Sequence, residues 1–155
     1  SYTDRPELGE MVPLLAQQLE AAGFKVTQDV REYNQIESEA LAGKFHAVLV
    51  SRSTVLDSGD AVAYMTADFS SSGSYSMSGL HDEKVDAAIS KAAATQPGDE
   101  RHKAIMAAEQ AILASGAAIP LAHERVIQGE AAGVTGAQRD PGERALITSA
   151  TTVKK

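Results

Sequence analysis

Residues Phe45–Ser51, Phe-His-Ala-Val-Leu-Val-Ser, form the longest near-continuous apolar run of the chain and constrain its fold most. At seven residues the run is far below the ~18 needed to span a bilayer. Strands covered on both faces read this way, which favours the interior of a parallel sheet. Upstream, Phe24, Val26 and Val30 fall on even steps through Phe24–Arg31, with Lys25, Thr27 and Asp29 between them, the pattern of a strand. Between the two strands, Asn34–Lys44 predicts a short helix with Ile36, Ala40 and Leu41 inward and Gly43 as its stop. Strand, helix and strand with short glycine-containing joints make a βαβ crossover, and a further strand at Ser1–Thr3 would be cut short at the start of the chain.

The other elements follow from periodicity. Leu8, Met11, Val12, Leu15, Leu19 and Ala22 recur at three- and four-residue steps, predicting an amphipathic helix closed by Gly23. Pro13 is tolerated in a helix's opening turn, which puts the start near residues 9–12. A short helix is expected over Gly59–Phe69, then a loop at Ser70–Ser76. One further helix carries Val85, Ala88, Ile89 and Ala92, with Asp82, Glu83 and Asp86 near its positive end. Another begins near Pro97, carries Ile105, Ala108, Ile112 and Leu113, and stops at Gly116. Ala117–Ile127 holds Pro120 and is at most an edge strand or an extended segment. A turn at Asp140-Pro141-Gly142 precedes a strand-like Ala145–Val153.

Composition narrows the function. The 155 residues include 27 alanines but 3 Phe and no Trp, so small side chains must fill much of the core. A net charge of −7 without a Lys/Arg run argues against a nucleic-acid partner. Zero cysteines exclude disulfides, thiolate metal sites and a cysteine nucleophile. His46, His81, His102 and His123 show no spacing that puts two imidazoles on one metal and read as surface or capping residues. There is no Gly-x-Ser-x-Gly elbow, no phosphate loop and no dinucleotide fingerprint, so the sequence lacks a catalytic signature and no cofactor is expected.

In parallel α/β sheets, ligands bind outside the carboxyl ends of strands. This directs attention to Arg52, Ser53 and Asp57, which follow the apolar run, and to Ser74, Tyr75 and Ser76 in the serine-rich loop. Two readings stand for each group. Arg52 is a pocket-edge cation or a solvated arginine at a loop start; Ser70–Ser76 lines the cleft or is a surface loop.

The order of segments resembles the C-terminal part of the family 5 extracytoplasmic solute-binding proteins, the oligopeptide, dipeptide and nickel receptors of ABC importers. The resemblance spans nearly the whole chain. It is carried by Leu15–Val26 (helix, glycine, then Lys25-Val26), Tyr33-Asn34, Ala42–Leu49, Ser74-Tyr75-Ser76 followed by Glu83–Ile89, Asp99-Glu100-Arg101, Ala118–His123, and Gly133-Val134 with Asp140-Pro141. It implies one lobe of a two-lobed receptor: a periplasmic-binding-protein-like α/β lobe with a parallel or mixed sheet and helices on both faces. Residues 1–129 would form the lobe, and 130–155 would return towards an N-terminal lobe. The implied partners are a peptide or peptide-like solute, a membrane permease and the other lobe, outside the cytoplasm. A metal chelate is the alternative solute, and a small α/β regulatory domain the rival from another class. The abrupt start at Ser1 fits a piece of a longer protein, whose preceding portion would carry an export signal and often a lipid anchor.

The sequence departs from the family at the ligand. Peptide-binding relatives have a Gly-Trp-x-x-Asp motif whose acid meets the peptide amine; here Ser51, Arg52 and Val55 stand at those places. The standard amine site is therefore expected to be missing, with Asp57 as a substitute acid if the loop is shifted by two residues. Arg52 instead suggests a pocket for an anionic or carbonyl-rich group.

Overall fold

The computed structural model describes residues 1–52, 59–123, 127–140 and 145–154. The chain divides into two compact units, Ser1–Ile119 and Pro120–Lys155. Among the described residues the first unit holds two short strands and five helices: β1 (Tyr2–Thr3), α1 (Pro6–Ala21), β2 (Val30–Arg31), α2 (Tyr33–Leu41), α3 (Ala61–Phe69), α4 (Glu83–Ala94) and α5 (Asp99–Ala114). None of these helices is long and apolar enough to cross a membrane.

β1 is central. It pairs in parallel with β2 through Tyr2↔Val30 and Thr3↔Arg31, and on its other edge with Leu49 through a single parallel bridge. The Leu49 amide donates to the Ser1 carbonyl at 2.9 Å, and the Tyr2 amide to the Asp29 carbonyl at 3.1 Å. The order β2–β1–Leu49, with α1 and α2 as crossovers, realises the predicted βαβ unit in minimal form, a mixed helix-and-sheet α/β architecture.

Two sequence expectations need correction here. The strand over Phe24–Arg31 shrinks to Val30–Arg31, and Phe24 is left 64% exposed. Among the described residues the apolar run forms a β-bridge only at Leu49, and residues 45–50 are half-buried or exposed rather than covered on both faces. The reason is physical: Leu49 has a partner strand on one side alone among the described residues, and an apolar pattern excludes water only if something packs on it.

α1 begins at Pro6, ahead of the expected start, and carries Pro13 inside it. Pro6 occupies the first-turn position where a missing N–H costs nothing. Pro13 is exposed, and the residue four places earlier, whose carbonyl its ring crowds, is the small Gly9. Leu8, Val12 and Ala16 are the buried stripe; Leu19, expected inward, is 44% exposed, and Ala22 is exposed too. α1 and α2 end alike. Gly23 (φ 94°) and Gly43 (φ 69°) adopt the left-handed conformation, and the following amides of Phe24 and Lys44 return to the carbonyls of Leu19 and Glu39, both at 3.0 Å. Ile36 and Ala40 of α2 are buried, while Leu41 faces out.

α3, α4 and α5 pack around Val62, Met65, Val85, Ile89, Ala92, Ala104, Ala108 and Ile112. Three of these eight are alanines, which lets the helices approach closely, as the composition requires. Asp60 caps α3 by accepting from the Val62 amide at 3.0 Å, and Asp82 caps α4 through the Lys84 amide at 2.8 Å. Leu113, expected inward on α5, is 40% exposed.

In the second unit β3 (Val134–Thr135) pairs antiparallel with β4 (Thr152–Val153). The strand expected over Ala145–Val153 is thus confined to its last residues. Turn bonds organise the segment before it, including Thr151 N–H to the Thr148 carbonyl at 3.0 Å. Pro141 and Gly142 of the expected turn lie outside the described residues. The described part of Ala117–Ile127 forms no strand, and Ile119 and Ile127 are 80% and 84% exposed.

Candidate functional site

Where the carboxyl ends of β1, β2 and the Leu49 segment converge, a cavity of about 410 Å³ is lined by Thr3, Asp4, Arg5, Arg31, Glu32, Tyr33, Val50 and Ser51. In the order β2–β1–Leu49, the chain leaves β1 towards β2, whereas the Leu49 segment lies on the opposite side. The cavity therefore opens at the place where ligands of α/β sheets bind.

Arg52 directly follows this lining and anchors a compact node beside it. Its Nε and Nη2 donate to both carboxylate oxygens of Asp68, at 2.9 and 2.6 Å, a two-point fork. The guanidinium carbon lies 4.4 Å from the ring centre of Tyr75 and 5.5 Å from that of Tyr64. Tyr64 in turn meets Phe69 edge to face at 5.7 Å. The hydroxyls of Tyr75 and Tyr33 touch, tying the node to the cavity wall. Asp68 retains 9% side-chain exposure and Arg52 34%. Burial disfavours the charge on Arg52, but the hydrogen bonds and charge of Asp68 outweigh it and its pKa is raised. Burial, followed by the nearby carboxylates Glu37 and Asp68, raises the phenol of Tyr33; burial, then Asp68, raises that of Tyr64.

The loop bearing Tyr75 is firmly held. Its amide donates to the Ala67 carbonyl at 3.0 Å, Ser70 Oγ donates to the Thr66 carbonyl at 2.7 Å, and the Ser71 amide donates to Asp86 at 2.8 Å. Gly73 lies so close to the end of α3 that a Cβ there would stand 2.7 Å from the Thr66 carbonyl oxygen and nearer still to that of Ala67.

Of the residues singled out from sequence, Arg52 and Tyr75 are thus brought face to face. Ser74 instead lines a second hollow of about 510 Å³ with Thr66, Ala67 and Gly73. The Arg101 guanidinium at that hollow donates to Asp60 at 2.5 Å and to the Ala92 and Thr95 carbonyls at 2.8 and 3.0 Å. Ser76 Oγ is buried without a hydrogen-bond partner among the described residues. Ser53 and Asp57 lie outside the described residues, as does Val55. All four histidines are exposed, and no group of three potential ligands capable of holding a metal occurs among the described residues.

Sequence reasoning missed Asp68, Tyr64 and the lining contributed by the first two strand ends. Asp68 carried a signal: it follows Val62 and Met65 at helical spacing, an acid on the buried stripe of α3. The strand-end rule, applied to β1 and β2 as well as to the apolar run, points to Thr3–Arg5 and Arg31–Tyr33.

No family model matches the chain, and no curated protein matches it.

Proposed function

We propose that the chain is the C-terminal lobe of a solute-binding receptor of an ABC importer, gripping a peptide or peptide-like solute for delivery to a membrane permease without making or breaking bonds. The observation that carries this reading is the strand-end cavity at the carboxyl ends of β1, β2 and the Leu49 segment, whose lining residue Tyr33 meets the Tyr75–Arg52 node beside it. Further support comes from crossovers that run in opposite directions from β2–β1–Leu49. Right-handed crossovers of that kind set helices on both faces of a sheet, as in binding-protein lobes. Exposed apolar side chains on the first unit, among them Leu14 at 61% and Phe24 at 64%, fit a surface that a further lobe would cover. The test has two arms. Native mass spectrometry identifies solutes retained by the protein, and calorimetry with short peptides measures binding. A stoichiometric solute, with no turnover in a screen of esters and peptides, supports the proposal. Turnover, or no solute in either arm, overturns it.

A further inference from the structure

We propose that Asp68 occupies from within the protein the anion position of Arg52, so that the strand-end cleft turns anionic solutes away. This rests on the binding role proposed above and specifies the charge of the solute. An external carboxylate or phosphate recognised by arginine takes two parallel N–H donors from one edge of the guanidinium. On Arg52 one such edge, Nε with Nη2, already carries both oxygens of Asp68. The ring of Tyr75 lies against the guanidinium at 4.4 Å, so its Nε–Nη2 edge and a neighbouring ring are both supplied by its own chain.

The arginines that line the cavity itself are also paired with acids of their own chain. Arg5 pairs with Glu7 at 2.8 Å, and Arg31 with Asp29 and Glu39, each at 2.7 Å. No guanidinium lining the cavity is left without a carboxylate among the described residues. Asp4 and Glu32, also on the lining, have no salt-bridge partner among those residues, which adds repulsion towards an approaching anion. Arg52 is therefore a positioning residue: it sets the ring of Tyr75, whose hydroxyl meets Tyr33 at the cavity wall.

The experiment unmasks the arginine. Wild type, Arg52→Met, Asp68→Asn and the double variant Arg52→Met/Asp68→Asn are titrated with succinate and with inorganic phosphate, followed by calorimetry and by chemical shifts of the guanidinium protons. Wild type is expected to bind neither probe. Asp68→Asn gains affinity for succinate by about tenfold or more, the order of one charge-assisted fork, and the double variant loses that gain. Anion binding by wild type that Arg52→Met abolishes overturns the inference, whether or not Asp68→Asn folds. A folded Asp68→Asn protein with no gain overturns it as well. Wild type that retains a peptide yet binds anions through Arg52 defeats this inference alone. A protein that retains no solute, while Asp68→Asn gains succinate, defeats the receptor reading and leaves the masking of Arg52 standing.

Discussion

Replacing Asp68 with asparagine keeps the side-chain shape, removes the charge and leaves the Arg52 cation part-buried without its counter-ion. Breaking a fully buried pair from one side costs about 3–5 kcal/mol, whereas exposed pairs are worth ~0.2–1 kcal/mol. The pair lies between these limits, with Asp68 at 9% and Arg52 at 34% side-chain exposure. The stacking of Arg52 on Tyr75 survives the change and holds the cation in place. The expected loss is about 2 kcal/mol, which for a chain of this length lowers Tm by roughly 6 °C. Urea unfolding followed by far-ultraviolet circular dichroism measures it. A double-mutant cycle with Arg52→Met isolates the pairwise part, expected near ~1.5 kcal/mol. Arg52→Lys should recover little of it, because an ammonium cannot form the fork. A loss under about 0.5 kcal/mol, or a coupling indistinguishable from zero, would refute the claim that the pair is shielded enough to matter.

Three other outcomes are expected. Gly73→Ala puts a methyl against the carbonyls of Thr66 and Ala67 and should destabilise by ~2 kcal/mol or more while shifting the loop of Tyr75; urea melts and the tyrosine resonances report both effects. Pro13→Ala removes an interior proline from α1 and restores a helical N–H, so stability should rise by about 1–3 kcal/mol in the same melts. Tyr33 and Tyr64 have raised pKa values, so the folded state holds their protons more tightly than the unfolded chain. Their contribution is complete below the ordinary phenol value of about 10 and is lost as pH rises through the folded values, which a tyrosinate absorbance titration on folded and urea-unfolded protein would follow.

The helices were legible because their signals are local. Asp60 and Asp82 sit at the starts of α3 and α4 as acids that accept from amides two or three residues on, and the stripes Val62–Met65 and Val85–Ile89–Ala92 follow at helical spacing. Gly23 and Gly43 marked their stops for the same reason. The strands of the first unit were legible in kind and order but not in extent, and β3 (Val134–Thr135) was not foreseen at all. Their pairing depends on Tyr2 meeting Val30 and Leu49, contacts that no window around residues 45–51 contains. The burial of that run was overestimated because burial is conferred by a covering element, not by the run itself. At the site, Arg52 and Tyr75 were visible as residue types in the right places. Their partnership with Asp68 and Tyr33 arises only when α2, α3 and the 70–76 loop come together, and a linear pattern cannot state which acid a given arginine will find.

The crowding of tyrosines around Arg52 has an optical consequence. With no tryptophan in the chain, ultraviolet emission comes from four tyrosines, and Tyr33, Tyr64 and Tyr75 all belong to the node. A guest that parts the two touching hydroxyls would change the brightness of the native protein directly. If the cavity binds a solute as proposed, tyrosine emission is a built-in, label-free gauge of its occupancy.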